Sequence, residues 1–198
     1  MQRAETPAPR LLVDAIWPAA GAMREVALVL GGAIVIALSA QLRIPLPFTP
    51  VPITAQTFAI LLIAATYGSR RGPATVLTYL MMGLSGLPVF ASAAPGLAAL
   101  AGPTAGYLMG YVPASLVVGF LSERGASRSP LMTAGSMAVA SVIIFGMGSL
   151  WLSRFVGWDQ VLAAGVLPFL PGDVVKIALA TIALPAAWRF MGSEPGRR

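Results

Sequence analysis

The chain has no cysteine and no histidine. Disulfides, thiol nucleophiles, the usual zinc ligands and the commonest proton shuttle at neutral pH are therefore missing. Charge is scarce as well, since Asp, Glu, Lys and Arg make up 10% of 198 residues and the single lysine is Lys176. There is no G-x-x-x-x-G-K-[ST] loop, so ATP is not held by that device. With no Gly-x-Ser-x-Gly elbow and no pair of buried carboxylates, neither hydrolysis nor metal catalysis has visible machinery, and an enzyme is not expected. No inverted repeat is evident, which argues against a self-contained secondary transporter.

What is present is apolar. Hydrophobic residues make up 57% of the chain and the mean hydropathy is +0.82, a composition suited to lipid rather than to a water-facing surface. Apolar runs separated by short joints leave room for one helical membrane bundle and no soluble domain. Six runs read as transmembrane helices, over 26–42, 53–67, 73–87, 105–121, 131–152 and 170–191. The expected organisation is an N-terminal tail over 1–25, a membrane domain over 26–191 and a short tail over 192–198. Pro7, Pro9 and Pro18 forbid a continuous helix in the first tail. A cleaved leader is disfavoured because the run from Val26 is long and further runs follow it.

The formal charge of +6 suggests nucleic acid only until the arginines are placed. With six crossings and an inner N-terminus, Arg3, Arg10, Arg24, Arg70, Arg71, Arg124, Arg128, Arg189, Arg197 and Arg198 lie inside, and only Arg43 and Arg154 outside. That asymmetry is the positive-inside pattern, so the charge encodes topology. A re-entrant hairpin over 53–87 would strand Arg70 and Arg71 within the bilayer at about 2.5 to 3.5 kcal/mol each. Trp151 and Trp158 at an outer end, and Trp188 at an inner one, suit interfacial belts.

Two joints on the outer side stand out. Pro45, Pro47, Pro50 and Pro52, with Phe48 among them, make a stiff, extended, apolar segment that is either a packed connector or a lid over a cavity. The joint over 88–104 is uncharged, rich in alanine and glycine, and too long for a simple turn. Within the runs, the only carboxylate and amine are Asp173 and Lys176. Three residues apart, they share a helical face, where they can neutralise each other and face a cavity. Pro168, Pro171 and Gly172 put Asp173 in the first turn of the last helix, where free backbone amides favour anions. Thr54, Gln56, Thr57, Ser92, Thr104 and Tyr107 fall at the same membrane level. With Phe48, Phe90 and Tyr107 as apolar walls they outline a small outward-facing pocket.

Several stretches together resemble the BioY family of biotin-specific S-components of energy-coupling factor transporters. They are Pro45-Leu-Pro-Phe-Thr-Pro-Val-Pro-Ile-Thr54 with Gln56-Thr57, Gly86-Leu-Pro-Val-Phe-Ala91, Gly102-Pro-Thr104 with Gly106-Tyr107, and Pro171-Gly-Asp-Val-Val-Lys176. The resemblance spans about residues 26 to 190. It implies an all-α bundle of six transmembrane helices with cytoplasmic termini in the bacterial cytoplasmic membrane. It also implies capture of biotin from outside, and assembly with a transmembrane coupling subunit and two ATPase subunits that alone bind ATP. No cofactor or metal of its own is implied. The ligand residues become Gln56, Phe90, Ser92, Thr104, Tyr107, Asp173 and Lys176. Ala33-x-x-x-Ala37 resembles the family's coupling face, a small-residue stripe that lets helices approach closely. Ala105 and Ser92 depart from residues usual in the family. Biotin's ureido ring offers two N–H donors and an acceptor, and its valerate carboxylate calls for a cation; which of Asp173 and Lys176 meets which end stays open. The alternatives are an S-component for another vitamin and a non-transporting membrane scaffold.

Overall fold

The computed structural model describes residues 11–18, 20–91 and 96–192. Its helices are α1 (Leu12–Ile16), α2 (Ala22–Gln41), α3 (Gln56–Leu84), α4 (Ala98–Ala101), α5 (Ala105–Glu123), α6 (Pro130–Val156), α7 (Val161–Gly165) and α8 (Leu170–Gly192). Two short strands, β1 (Arg43–Ile44) and β2 (Ile53–Thr54), pair antiparallel between α2 and α3. Among the described residues four helices, α2, α5, α6 and α8, are long and apolar enough to cross a membrane.

α3 is two helices in series. Gly68, at φ 84° and ψ −175°, interrupts it, in a backbone region that essentially only glycine occupies. Each limb is shorter than the roughly 20 residues of a comfortable crossing. The joint expected over 68–72 is thus a single residue, because Arg70 and Arg71 already lie in the second limb. The break is tightly enclosed. A Cβ on Gly119 of α5 would stand 2.4 Å from the carbonyl carbon of Gly68, so the two backbones touch. The amide and hydroxyl of Ser69 both donate to Glu123 Oε1, at 2.8 Å each, which satisfies an N–H that the broken helix leaves over.

At this end α1 is held by charge as well as packing. Arg71 donates to Asp14 Oδ1 at 2.9 Å and to Glu25 Oε2 at 2.6 Å, and Arg24, itself buried, reaches Asp14 Oδ1 at 2.9 Å. Leu11, Val13 and Leu28 bury one another beside Tyr67. Residues 11–16 thus pack on the bundle, and α2 starts at Ala22, four residues before the expected start of the first run.

Close approach of small residues sets the helix packing. A Cβ on Gly106 would meet Trp151 Cβ at 2.4 Å, and one on Gly110 would meet Ile144 Cα at 3.1 Å, so α5 lies directly on α6. The same logic governs α2. Ala33 is 0% exposed, Ala37 packs against the same core, and a Cβ on Gly32 would stand 2.7 Å from Thr75 of α3. Ala33 is thus turned inward, while Ala37, half-buried, lies at the edge of that packed face. The opposite face of α2 carries Leu30, Ile34 and Leu38 exposed, and with Val142 of α6 and Ile182 of α8 it supplies an apolar exterior suited to lipid.

Candidate ligand-binding site

One end of the bundle encloses a cavity of about 70 Å3. It is built where several elements begin: Gln56 opens α3, Thr104 and Tyr107 open α5, and Asp173 and Lys176 lie in the first turns of α8, while Phe90 comes from the joint after α3. Helix starts converge here because prolines and glycines halt each helix at this level, leaving chain ends free to turn inward. Six of the seven expected ligand residues, Gln56, Phe90, Thr104, Tyr107, Asp173 and Lys176, line the cavity. Ser92 lies outside the described residues.

Most polar side chains here are fixed by neighbours. Gln56, 2% exposed, donates from Nε2 to the Tyr79 hydroxyl at 3.0 Å, which in turn donates to the Val89 carbonyl at 3.3 Å. The Tyr107 hydroxyl donates to the Gly165 carbonyl at 2.7 Å. Its ring lies against Gly148, where a Cβ would stand 2.3 Å from the ring. Phe90 packs edge-on to Tyr79, with ring centroids 5.5 Å apart. These locked rotamers pre-organise the wall, which reduces the ordering cost of taking a ligand.

The two charged groups interact as charges without a direct bond between them. Lys176 Nζ donates to the Thr54 carbonyl at 2.7 Å and to Thr57 Oγ1 at 2.8 Å. Asp173 makes no ion pair with it, and among the described residues nothing donates to the Asp173 carboxylate. Their three-residue spacing does place both on the cavity. The cavity therefore presents an anionic acceptor and a cationic donor side by side, and apolar walls from Phe90, Ile144, Phe145 and Phe169.

The proline-rich joint is a hairpin rather than an extended strut. Arg43 pairs with Thr54 and Ile44 with Ile53, so the four prolines sit in the loop or just beside the ladder, where no N–H is required. Its tip is anchored: Thr49 Oγ1 donates to the Ala164 carbonyl at 2.7 Å and accepts from the Val51 amide at 3.2 Å. Arg43 donates to the Ala91 carbonyl, joining the hairpin to the joint after α3. Val51 and Pro52 line the cavity. Pro45, Pro47 and Pro50 do not line it, and neither does Phe48. At 64% exposed, Phe48 points away and is not the expected wall.

Several lining residues escaped the sequence reading. Tyr111 follows Tyr107 by four residues, a spacing that puts both on one helical face and was available as a signal. Ile144 and Phe145 sit within the uniformly apolar α6 and carry no comparable mark.

Comparison with known proteins finds relatives of the whole bundle. The model of the BioY family matches residues 9–193. The biotin transporter BioY of Rhizobium etli is 37% identical over 158 residues, covering 76% of this chain and 84% of that protein. The probable biotin transporter BioY of Pyrococcus horikoshii is 36% identical over 160 residues, covering 80% and 93%. Among solved structures, the S-component for biotin from an ECF-type ABC transporter superposes with a TM-score of 0.73 at 25% identity, over 86% of this chain and 95% of that one.

Proposed function

The chain belongs to the BioY family, and from that premise we propose that it is a membrane-embedded capture subunit for biotin, delivering the vitamin to an ATPase-driven coupling partner. The observation that carries the reading is the cavity. A carboxylate and an amine stand together among aromatic and aliphatic walls, at a level where four helices and two joints meet. Biotin's complement of ureido N–H groups, thiophane ring and valerate carboxylate matches such a set. Solved and named relatives that are biotin transporters or S-components support the substrate.

The same reading extends to topology. The two limbs of α3 act as separate short crossings, giving six in all. The termini and the arginines at 70, 71, 124, 128 and 189 lie on the cytoplasmic side of the bacterial cytoplasmic membrane, and the cavity opens outward. The arginine asymmetry supports this orientation. Energy comes from a transmembrane coupling subunit and two ATPase subunits, in keeping with the absence of a phosphate-binding loop here.

The test is equilibrium binding of radiolabelled biotin to the detergent-purified chain, with thiamin and riboflavin as competitors. Saturable biotin binding unaffected by either competitor is expected. Displacement by another vitamin would reassign the substrate, and no binding of any of the three would remove the capture role.

A further inference from the structure

We propose that Lys176 is a positioning residue for the hairpin lid, its ammonium pinning the root of the hairpin and the start of α3 to α8. The relevance of this to vitamin capture rests on the functional reading above; the pinning itself does not.

The argument begins at the seam between α3 and α8. α8 leans chiefly on α6 and meets α3 only lightly. At the level of the ligand pocket a second, small cavity lies in this seam, lined by Thr57, Phe58 and Leu61 of α3, Met137 of α6, and Asp173, Lys176 and Ile177 of α8. Thr57, Asp173 and Lys176 line both cavities, so one layer of polar side chains separates them. Close packing is interrupted locally there. Two hydrogen bonds bridge the gap, both from Lys176: one to the Thr54 carbonyl at 2.7 Å, one to Thr57 Oγ1 at 2.8 Å.

Their acceptors are informative. Thr54 is the last residue of β2, paired with Arg43 at the open end of the hairpin, and the neighbouring Ala55 amide donates to the Leu42 carbonyl at 3.1 Å. Thr57 is in the first turn of α3. A single ammonium thus fixes the lid's root to the helix that follows it and to α8. An ammonium has three N–H donors, and two are committed here. The third donates to no described residue and can serve an acceptor in the pocket. An anionic ligand that takes it adds to the network holding the lid's root, so occupancy and lid closure reinforce each other through one nitrogen.

The test uses the detergent-purified protein with no vitamin added, so it stands whatever the pocket binds. Amide hydrogen exchange is followed in peptides spanning residues 42–55, with α6 as the reference. Lys176→Met should speed exchange in the hairpin roughly tenfold while α6 stays at the parental rate, as loss of charge-assisted hydrogen bonds to a local element predicts. Lys176→Arg, which keeps donors, should restore much of the protection. Should Lys176→Met fail to fold, or loosen α6 equally, Thr57→Val decides: it removes one acceptor with little change of shape and should still speed the hairpin selectively. Parental exchange over 42–55 in the deciding variant overturns the proposal.

Discussion

The hydroxyl of Thr49 donates to the carbonyl of Ala164 at 2.7 Å, and both residues are buried. One bond joins the tip of the hairpin to α7, far along the chain, and the same oxygen accepts from the Val51 amide at 3.2 Å. The hairpin is therefore held at its tip by a threonine and at its root by a lysine.

Thr49→Val should loosen the tip while preserving shape. A net hydrogen bond contributes about 0.5 to 1.5 kcal/mol, so release of bound biotin should speed up roughly two- to tenfold. A cold-chase dissociation experiment in detergent measures it. An unchanged rate would leave the hairpin a mere connector.

Asp173→Asn and Lys176→Met should each weaken biotin binding more than they lower folded yield. Hydrogen bonds to charged groups contribute about 1.5 to 3 kcal/mol, so a loss of roughly ten- to a hundredfold in affinity is expected for each. Titration of radiolabelled biotin against the two variants checks this. Parental affinity in both would sink the site assignment.

Gly68→Ala should destabilise the fold without touching the cavity. The backbone there, at φ 84° and ψ −175°, costs a non-glycine residue about 1 to 3 kcal/mol. In addition, the new methyl would stand 2.6 Å from Leu11 Cδ1 and 2.7 Å from Glu123 Oε1. A lower melting temperature in detergent, with near-parental biotin affinity below the transition, is the expected pattern. A variant as stable as the parent would mean that the two limbs of α3 can straighten.

Ala33→Trp should abolish folding and biotin binding together, because Ala33 is 0% exposed and overpacking a filled core costs about 1 to 3 kcal/mol even for a few added methylenes. Leu38→Trp, on the exposed face of the same helix, should leave both intact. Folded yield by size-exclusion chromatography, read with biotin binding, separates the two cases. A folded, biotin-binding Ala33→Trp protein would return the small-residue stripe to the role of a partner surface.

The membrane character of this chain was legible in the amino-acid order, because a chain in lipid must pair its backbone groups internally, and the apolar helical runs that do so are visible directly. Asp173 and Lys176 were legible for the same reason: a charge in an apolar run stands out, and a spacing of three assigns it a face. Gln56, Thr104 and Tyr107 could be grouped by membrane level. What tertiary structure alone decided was which apolar surface faces inward. In water, polarity marks the outside of a helix, but in lipid the interior and exterior are both apolar, so the burial of Ala33, the outward turn of Phe48 and the inward place of Ile144 and Phe145 leave no trace in hydropathy. The break at Gly68 and the hairpin over 43–54 likewise depend on distant partners. Glu123 and Gly119 enclose the break, and Lys176 and Ala164 hold the hairpin. Such contacts form only when helices remote in sequence have packed side by side.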